Sequence, residues 1–314
     1  MELFLSTLGR MAFLFSFILL GYIVAKTKAV PENAETVLSK LESTIFIPAL
    51  IIGSFMRDFT VDKLSIAWRI VLTSFILTFI TMALAVSTSR LFSKDDFTRK
   101  ICTYGLAFAN IGFMGNAVVE AVFPEIFFEY VLFTVPINTM IYLWGVPVLL
   151  VPTGGKGIRE RLKSFANPMF ASIVIGIFLG LSGLGAFIPK WGNDAINAVG
   201  SCMSPCAMLL TGMTVARINL RETFTRLNIY ALSFVRLIAI PLCYIGVMLL
   251  LPLDIPETVF ICGLCAVSMP LGLNMVVIPG AYGKDTRIAA GMAIVSHLLS
   301  CITIPIIFTI ALAL

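Results

Sequence analysis

Three polar side chains stand where an apolar chain has least reason to place them. Arg236 lies inside LNIYALSFVRLIAIPLCYIGVMLLL, ten residues past Arg226. His297, the only histidine, lies ten residues past Arg287, and Asn274 lies ten residues before Lys284. At 1.5 Å of rise per residue each sits roughly 15 Å from a charged flank, the middle of a bilayer if these segments are membrane helices. An arginine at that depth is costly unless it is paired or faces a polar cavity. It could grip a carboxylate through two parallel hydrogen bonds, stand in for a cation, or satisfy the carbonyls of a broken helix. His297 could carry a proton or bridge two helices. Glu120, five residues before Glu125, is expected near a surface, and Glu42, near one end of its segment, is left open.

The elements that must position these groups announce themselves by their breaks. Gly105 to Val119 (GLAFANIGFMGNAVV) and Gly263 to Val277 (GLCAVSMPLGLNMVV) align without gaps at an offset of 158, sharing Gly-Leu, Asn and Val-Val. Each interrupts a membrane-length apolar segment with residues that weaken a helix: Asn110, Gly112, Gly115 and Asn116 in the first, Pro270 and Asn274 in the second. In hydrocarbon, freed backbone groups survive only where protein or a water-lined cavity satisfies them. Corresponding interruptions in two halves of a chain point to a transporter's binding site, with half-helix N-termini offered to an anion and carbonyl ends to a cation.

Composition agrees: 59% of residues are hydrophobic and 12% charged. Apolar runs of about 20 residues recur along the chain. Ten spans are predicted, at 7–25, 38–55, 66–89, 101–123, 127–151, 167–187, 195–215, 227–251, 257–280 and 286–313. The expected fold is an all-α polytopic membrane protein. A cleaved signal peptide is disfavoured, because Lys26 and Lys28 follow the first apolar run with no small-residue cleavage site. With ten spans, sixteen of the 22 Lys and Arg fall on one face and five on the other, Arg236 excepted. The richer face is predicted cytoplasmic, with both termini outside. The net charge of +5 is thereby explained as topology, and no nucleic-acid partner is expected. Five spans per half invert the second copy, so residues 1–151 and 165–314 are expected to form two inverted five-helix repeats joined by a short cytoplasmic linker, 152–164. The fourth and ninth spans are expected to be the broken helices.

Asn110-Ile-Gly-Phe-Met-Gly, Met269-Pro270-x-x-x-Asn274 followed by Ala281-Tyr-Gly, and the Ser-rich, Pro-containing last span resemble the auxin efflux carrier family in its compact bacterial form. The resemblance covers essentially the whole chain. It implies a scaffold of spans 1, 2, 6 and 7, and a moving domain of spans 3–5 and 8–10. It implies a secondary carrier in a bacterial inner membrane, with an organic anion as cargo: malonate, malate and related carboxylates in bacteria, indole-3-acetate in plants. The contacts expected for the anion are Asn110, Gly112, Gly115, Asn116, Asn138, Arg236, Pro270 and Asn274, with His297 as coupling candidate. The chain departs from many relatives in carrying Gly115-Asn116 where they have a proline soon after the glycine. Na+ or H+ are the ions open to coupling; no cofactor or metal is expected, and a homodimer is open.

Other chemistries fit less well. Gly180-Leu-Ser182-Gly183 matches the Gly-x-Ser-Gly of rhomboid-like proteases with His297 as a base, but the two residues are expected at different depths. Gly154-Gly-Lys-Gly157 lacks the spacing of a phosphate loop. Cys262-x-x-Cys265 and Cys202-x-x-x-Cys206 lie in apolar helices and are expected as filler rather than ligands. A non-transporting membrane sensor remains the alternative function.

Overall fold

The computed structural model describes residues 2–60, 63–150, 167–217, 227–250, 255–281 and 284–313. The predicted linker with Gly154–Gly157, and the cations Arg221 and Arg226, lie outside the described residues. Within them the chain is helical, in the order α1 (Glu2–Lys26), α2 (Ala34–Asp58), α3 (Leu64–Leu91), α4 (Asp96–Ala107), α5 (Ile111–Val122), α6 (Pro124–Leu150), α7 (Pro168–Ser182), α8 (Lys190–Ala216), α9 (Leu227–Leu250), α10 (Glu257–Ser268), α11 (Asn274–Ala281) and α12 (Arg287–Leu312). Seven of these (α1, α2, α3, α6, α8, α9 and α12) are long and apolar enough to cross a membrane; α5, α7 and α10 are shorter apolar helices. Two predicted spans are interrupted, the fourth between α4 and α5 and the ninth between α10 and α11.

Helix ends follow local chemistry. Asp95 caps α4 by accepting the Thr98 N–H at 2.8 Å, and Asn167 caps α7 by accepting the Phe170 N–H at 3.1 Å, with Pro168 at the first helical position. Gly183, at φ 70°, closes α7 in the left-handed conformation that only glycine adopts without strain. Two long helices widen to π-helical turns just before a proline. In α2 the turn is Glu42–Phe46 before Pro48, and in α9 it is Val235–Ala239 before Pro241. Proline has no N–H to give its helix, and the wider turn accommodates the lost bond. Such turns recur at functional sites, and these two hold the buried Glu42 and Arg236.

Two pairs of helices pack through small residues. α1 lies along α8, with Gly21 against the Leu209 carbonyl and Gly212 against that of Ile18; any side chain at either glycine would strike backbone. α2 lies along α7, where a Cβ at Gly180 would come within 2.6 Å of the Phe55 and Phe59 carbonyls. With no hydrophobic drive between helices in lipid, this close backbone approach supplies the packing. α3 packs on α4 and α6, and α12 on α1 and α9. Lys63, before α3, pairs with the buried Glu129 of α6 at 2.6 Å.

Candidate functional site

The two breaks meet. The chain leaves α4 at Phe108 in extended backbone, and the Asn110 N–H donates to the Pro270 carbonyl at 2.8 Å. Ala109 and Leu271 form an antiparallel bridge. Each interruption thus satisfies part of the backbone the other frees, which is how non-helical chain persists at membrane depth. The sequence located both breaks, but the first lies at Phe108–Asn110. Gly112 and Gly115 belong to a π-helical turn, Ile111–Gly115, that opens α5.

Arg236 binds the carbonyl ends of both interrupted helices. Nε donates to Met269 O, Nη1 to Leu106 O and Nη2 to Ala266 O, each at 3.1 Å, and the side chain is 2% exposed. Leu106 is the penultimate residue of α4; Ala266 lies in the last turn of α10 and Met269 is the residue just past its end. A guanidinium suits this place because its planar fork spreads donors over several acceptors and its charge opposes the negative ends of two helix dipoles. A cavity of about 20 Å³, room for about one water, is lined by Arg236 with Thr78, Thr81, Ala109 and Ile111.

α12 braces the crossing from the other side. His297 Nδ1–H donates to Ala293 O at 2.7 Å, which leaves Nε2 as the acceptor facing Asn110 Nδ2 at 3.0 Å. Both ring nitrogens are thus engaged. One residue earlier, Ser296 Oγ accepts the Leu271 N–H at 3.2 Å and donates to Ala293 O. In the first break the Tyr130 hydroxyl donates to Ile111 O at 3.1 Å, and it lies where a Gly115 side chain would be. Gly115 is thus required by close approach.

The remaining polar groups are distributed around this core. Asn116 is buried in α5, just beyond the π-helical turn that ends at Gly115. Asn274 opens α11, half-buried, with its side chain on the Tyr104 hydroxyl of α4. Gly112 is half-buried with open space where a Cβ would stand. Asn138 is buried in α6 and donates to Thr134 O of its own helix. The first N–H groups of α5 have no intrahelical partner by construction, while in α11 those of Met275, Val276 and Val277 donate to the Gly272 and Leu273 carbonyls; the crossing brings both N-terminal ends together and caps the two carbonyl ends with Arg236. This arrangement is suited to an anion.

A family described as membrane transport protein matches twice, over residues 6–161 and 157–308, one match for each half. The chain belongs to the auxin efflux carrier family. No curated protein sequence matches it. The carrier accordingly places the interrupted segments of its two halves in one site.

The groups that depth alone singled out have these places in the carrier. Glu120, expected near a surface, accepts a hydrogen bond from Ser204 of α8, and Glu42 is fully buried. Ser182 accepts the exposed Leu184 N–H, while His297 is held by Asn110 and Ala293, so the Ser–His pair of the protease alternative is not formed. Sequence reasoning passed over Ser296 and Tyr130. The Ser-rich character of the last span was the available signal for the first; nothing in one sequence marks a tyrosine that reaches across to another helix.

Proposed function

We propose that this carrier moves a small carboxylate, such as malonate, malate or lactate, by alternating access. The observation that carries the reading is the crossing itself: two half-helix N-termini meet in one place, and the opposing carbonyl ends are already neutralised by a buried arginine. An anion gains from the N-terminal ends, and a cation would compete with Arg236 for the carbonyl ends. Asn116, Asn274 and the unused N–H groups of Arg236 are the polar contacts assigned to the anion, around Asn110, Gly112, Gly115, Asn138 and Pro270. Two inverted five-helix repeats, with both termini outside a bacterial inner membrane, form the frame. Spans 1, 2, 6 and 7 stay fixed while spans 3–5 and 8–10 carry the site from one side to the other. The small cavity beside Arg236 holds about one water, so helix movement must widen the crossing before a dicarboxylate enters. The engaged ring of His297 favours a part in holding Asn110 over carrying H+.

The test is uptake of labelled malonate, malate, lactate and indole-3-acetate into proteoliposomes, with Na+ and pH gradients imposed separately. Saturable uptake of one acid supports the carrier reading. Ligand binding by folded protein without uptake under any gradient replaces it with a sensor.

A further inference from the structure

The anion site leaves two acidic side chains unused. Glu42 is fully buried in the π-helical turn of α2, and neither of its carboxylate oxygens meets a hydrogen-bond donor among the described residues. α2 runs antiparallel to α8: Glu35 accepts from Thr214 at one end, and Gly53 lies against Asn197 at the other. Glu42 therefore faces the middle of α8, within electrostatic reach of Cys206. Glu120 comes to the same seam from α5, where Ser204 donates to its Oε2, and it lies within electrostatic reach of Glu42.

A cavity at the protein surface leads to Glu120. Its volume is about 270 Å³, and Ser54, Arg57, Asn197 and Ser201 line it with Glu120. It reaches solvent at Arg57, whose side chain is 64% exposed and bonded to Asp58. The other groups facing the seam are few. Arg10 of α1 donates to the Ala121 carbonyl beside Glu120; Cys202 and Cys206 come from α8; the described part of α7, Pro168–Ser182, carries no ionisable side chain. No described cation pairs with Glu42. An ionised Glu42 would be a buried carboxylate with no donor and a second carboxylate nearby, and a single proton relieves both penalties.

We propose that Glu42 and Glu120 form a proton-binding site on the seam between α2, α8 and α5, loaded from the surface cavity through Glu120, and that this proton is the coupling ion of the carrier. The coupling half rests on the alternating-access reading, in which α5 moves against α2 and α8. Separating Glu120 from Glu42 changes the field at Glu42, so the affinity for the proton follows the position of the moving helices. One proton is bound to the Glu42 carboxylate on one side and released unchanged on the other.

The test begins with infrared difference spectroscopy of the purified full chain during a pH titration, which needs no substrate. Wild type is expected to show a protonated-carboxyl C=O band at neutral pH that shifts in D2O and disappears on alkaline titration. E42Q, checked for monodisperse elution, is expected to lack it. In E120Q, removing the neighbouring charge is expected to move disappearance of the band to lower pH. A wild type with no band, a band that survives in E42Q, or an unmoved titration in E120Q overturns the site. Loss of the band on adding NaCl at constant pH also overturns it, in favour of sodium. In proteoliposomes, with an acid that wild type takes up, E42Q is expected to lose stimulation by a pH gradient; full stimulation overturns the coupling. If the band behaves as expected but wild type takes up none of the four acids, the carrier reading fails and the proton site stands.

Discussion

Asn110 gives its side-chain amide to His297 Nε2 at 3.0 Å, joining the first interruption to the last helix across 187 positions of sequence. The bond is buried, and its acceptor is fixed by the Ala293 carbonyl on the other ring nitrogen. His297→Ala leaves the Asn110 donor unpaired, at a cost of roughly 1–3 kcal/mol. Thermal melts in detergent are expected to show a lowered Tm for H297A and for N110A. The double variant should be about as unstable as the worse single one, and additive losses would mean the two residues act separately.

Arg236→Lys tests the three-carbonyl clamp. An ammonium on a flexible stem cannot span three acceptors in a plane, so at least one of Leu106 O, Ala266 O and Met269 O loses its partner. Each unpaired carbonyl costs roughly 1–3 kcal/mol. R236K is expected to melt below wild type, R236A lower still, and both to lose anion uptake. Unchanged melting in R236A would remove the clamp from the account.

Gly115→Ala drives a methyl onto the Tyr130 hydroxyl, an overpacking expected to cost roughly 1–3 kcal/mol. Tyr130→Phe alone loses the bond to Ile111 O, about 0.5–1.5 kcal/mol. Because the hydroxyl is what the methyl meets, G115A/Y130F should melt above G115A. A double variant less stable than both singles would show that the glycine is needed for another reason.

Asp285 offers a pH test at the water surface. Hydrogen bonds from the Arg287 side chain and backbone N–H hold its carboxyl down at about 2, against an ordinary 3.8. A depressed carboxylate stabilises above its unfolded value, and that contribution disappears as pH falls through the folded one. D285N is therefore expected to lower Tm slightly at neutral pH and to match wild type near about pH 2. An equal difference at both pH values would assign the effect to something other than ionisation.

The breaks were legible because Gly, Pro and Asn leave a mark on the chain itself: both interruptions fall within the aligned stretches, and Asn116 and Asn274 occupy matching places in them. Depth was legible for Arg236 and His297, since counting residues from a charged flank measures it directly. Direction was not. Whether Glu42 looked into lipid, cavity or protein depended on a π-helical turn that rotates the helix face, and on α5 arriving beside it. Glu120 was expected near a surface from its distance to Glu125, and it lines a cavity with the exposed Arg57; its bond from Ser204 of a distant helix left no mark on the sequence. Arg236 had three open partners on sequence grounds; choosing among them needed the carbonyls of α4 and α10 brought to one point.

That convergence has an electrical consequence. Arg236 is bonded to both interrupted helices at once, so its charge travels wherever the crossing travels. A membrane voltage does roughly 2.3 kcal/mol of work on one elementary charge for each 100 mV crossed. In the proposed cycle the unloaded site moves as a monocation and feels that work in proportion to the share of the voltage it crosses. Lactate makes it neutral, and a dicarboxylate reverses its sign, so the cargo sets whether membrane voltage helps the loaded step, hinders it, or leaves it alone.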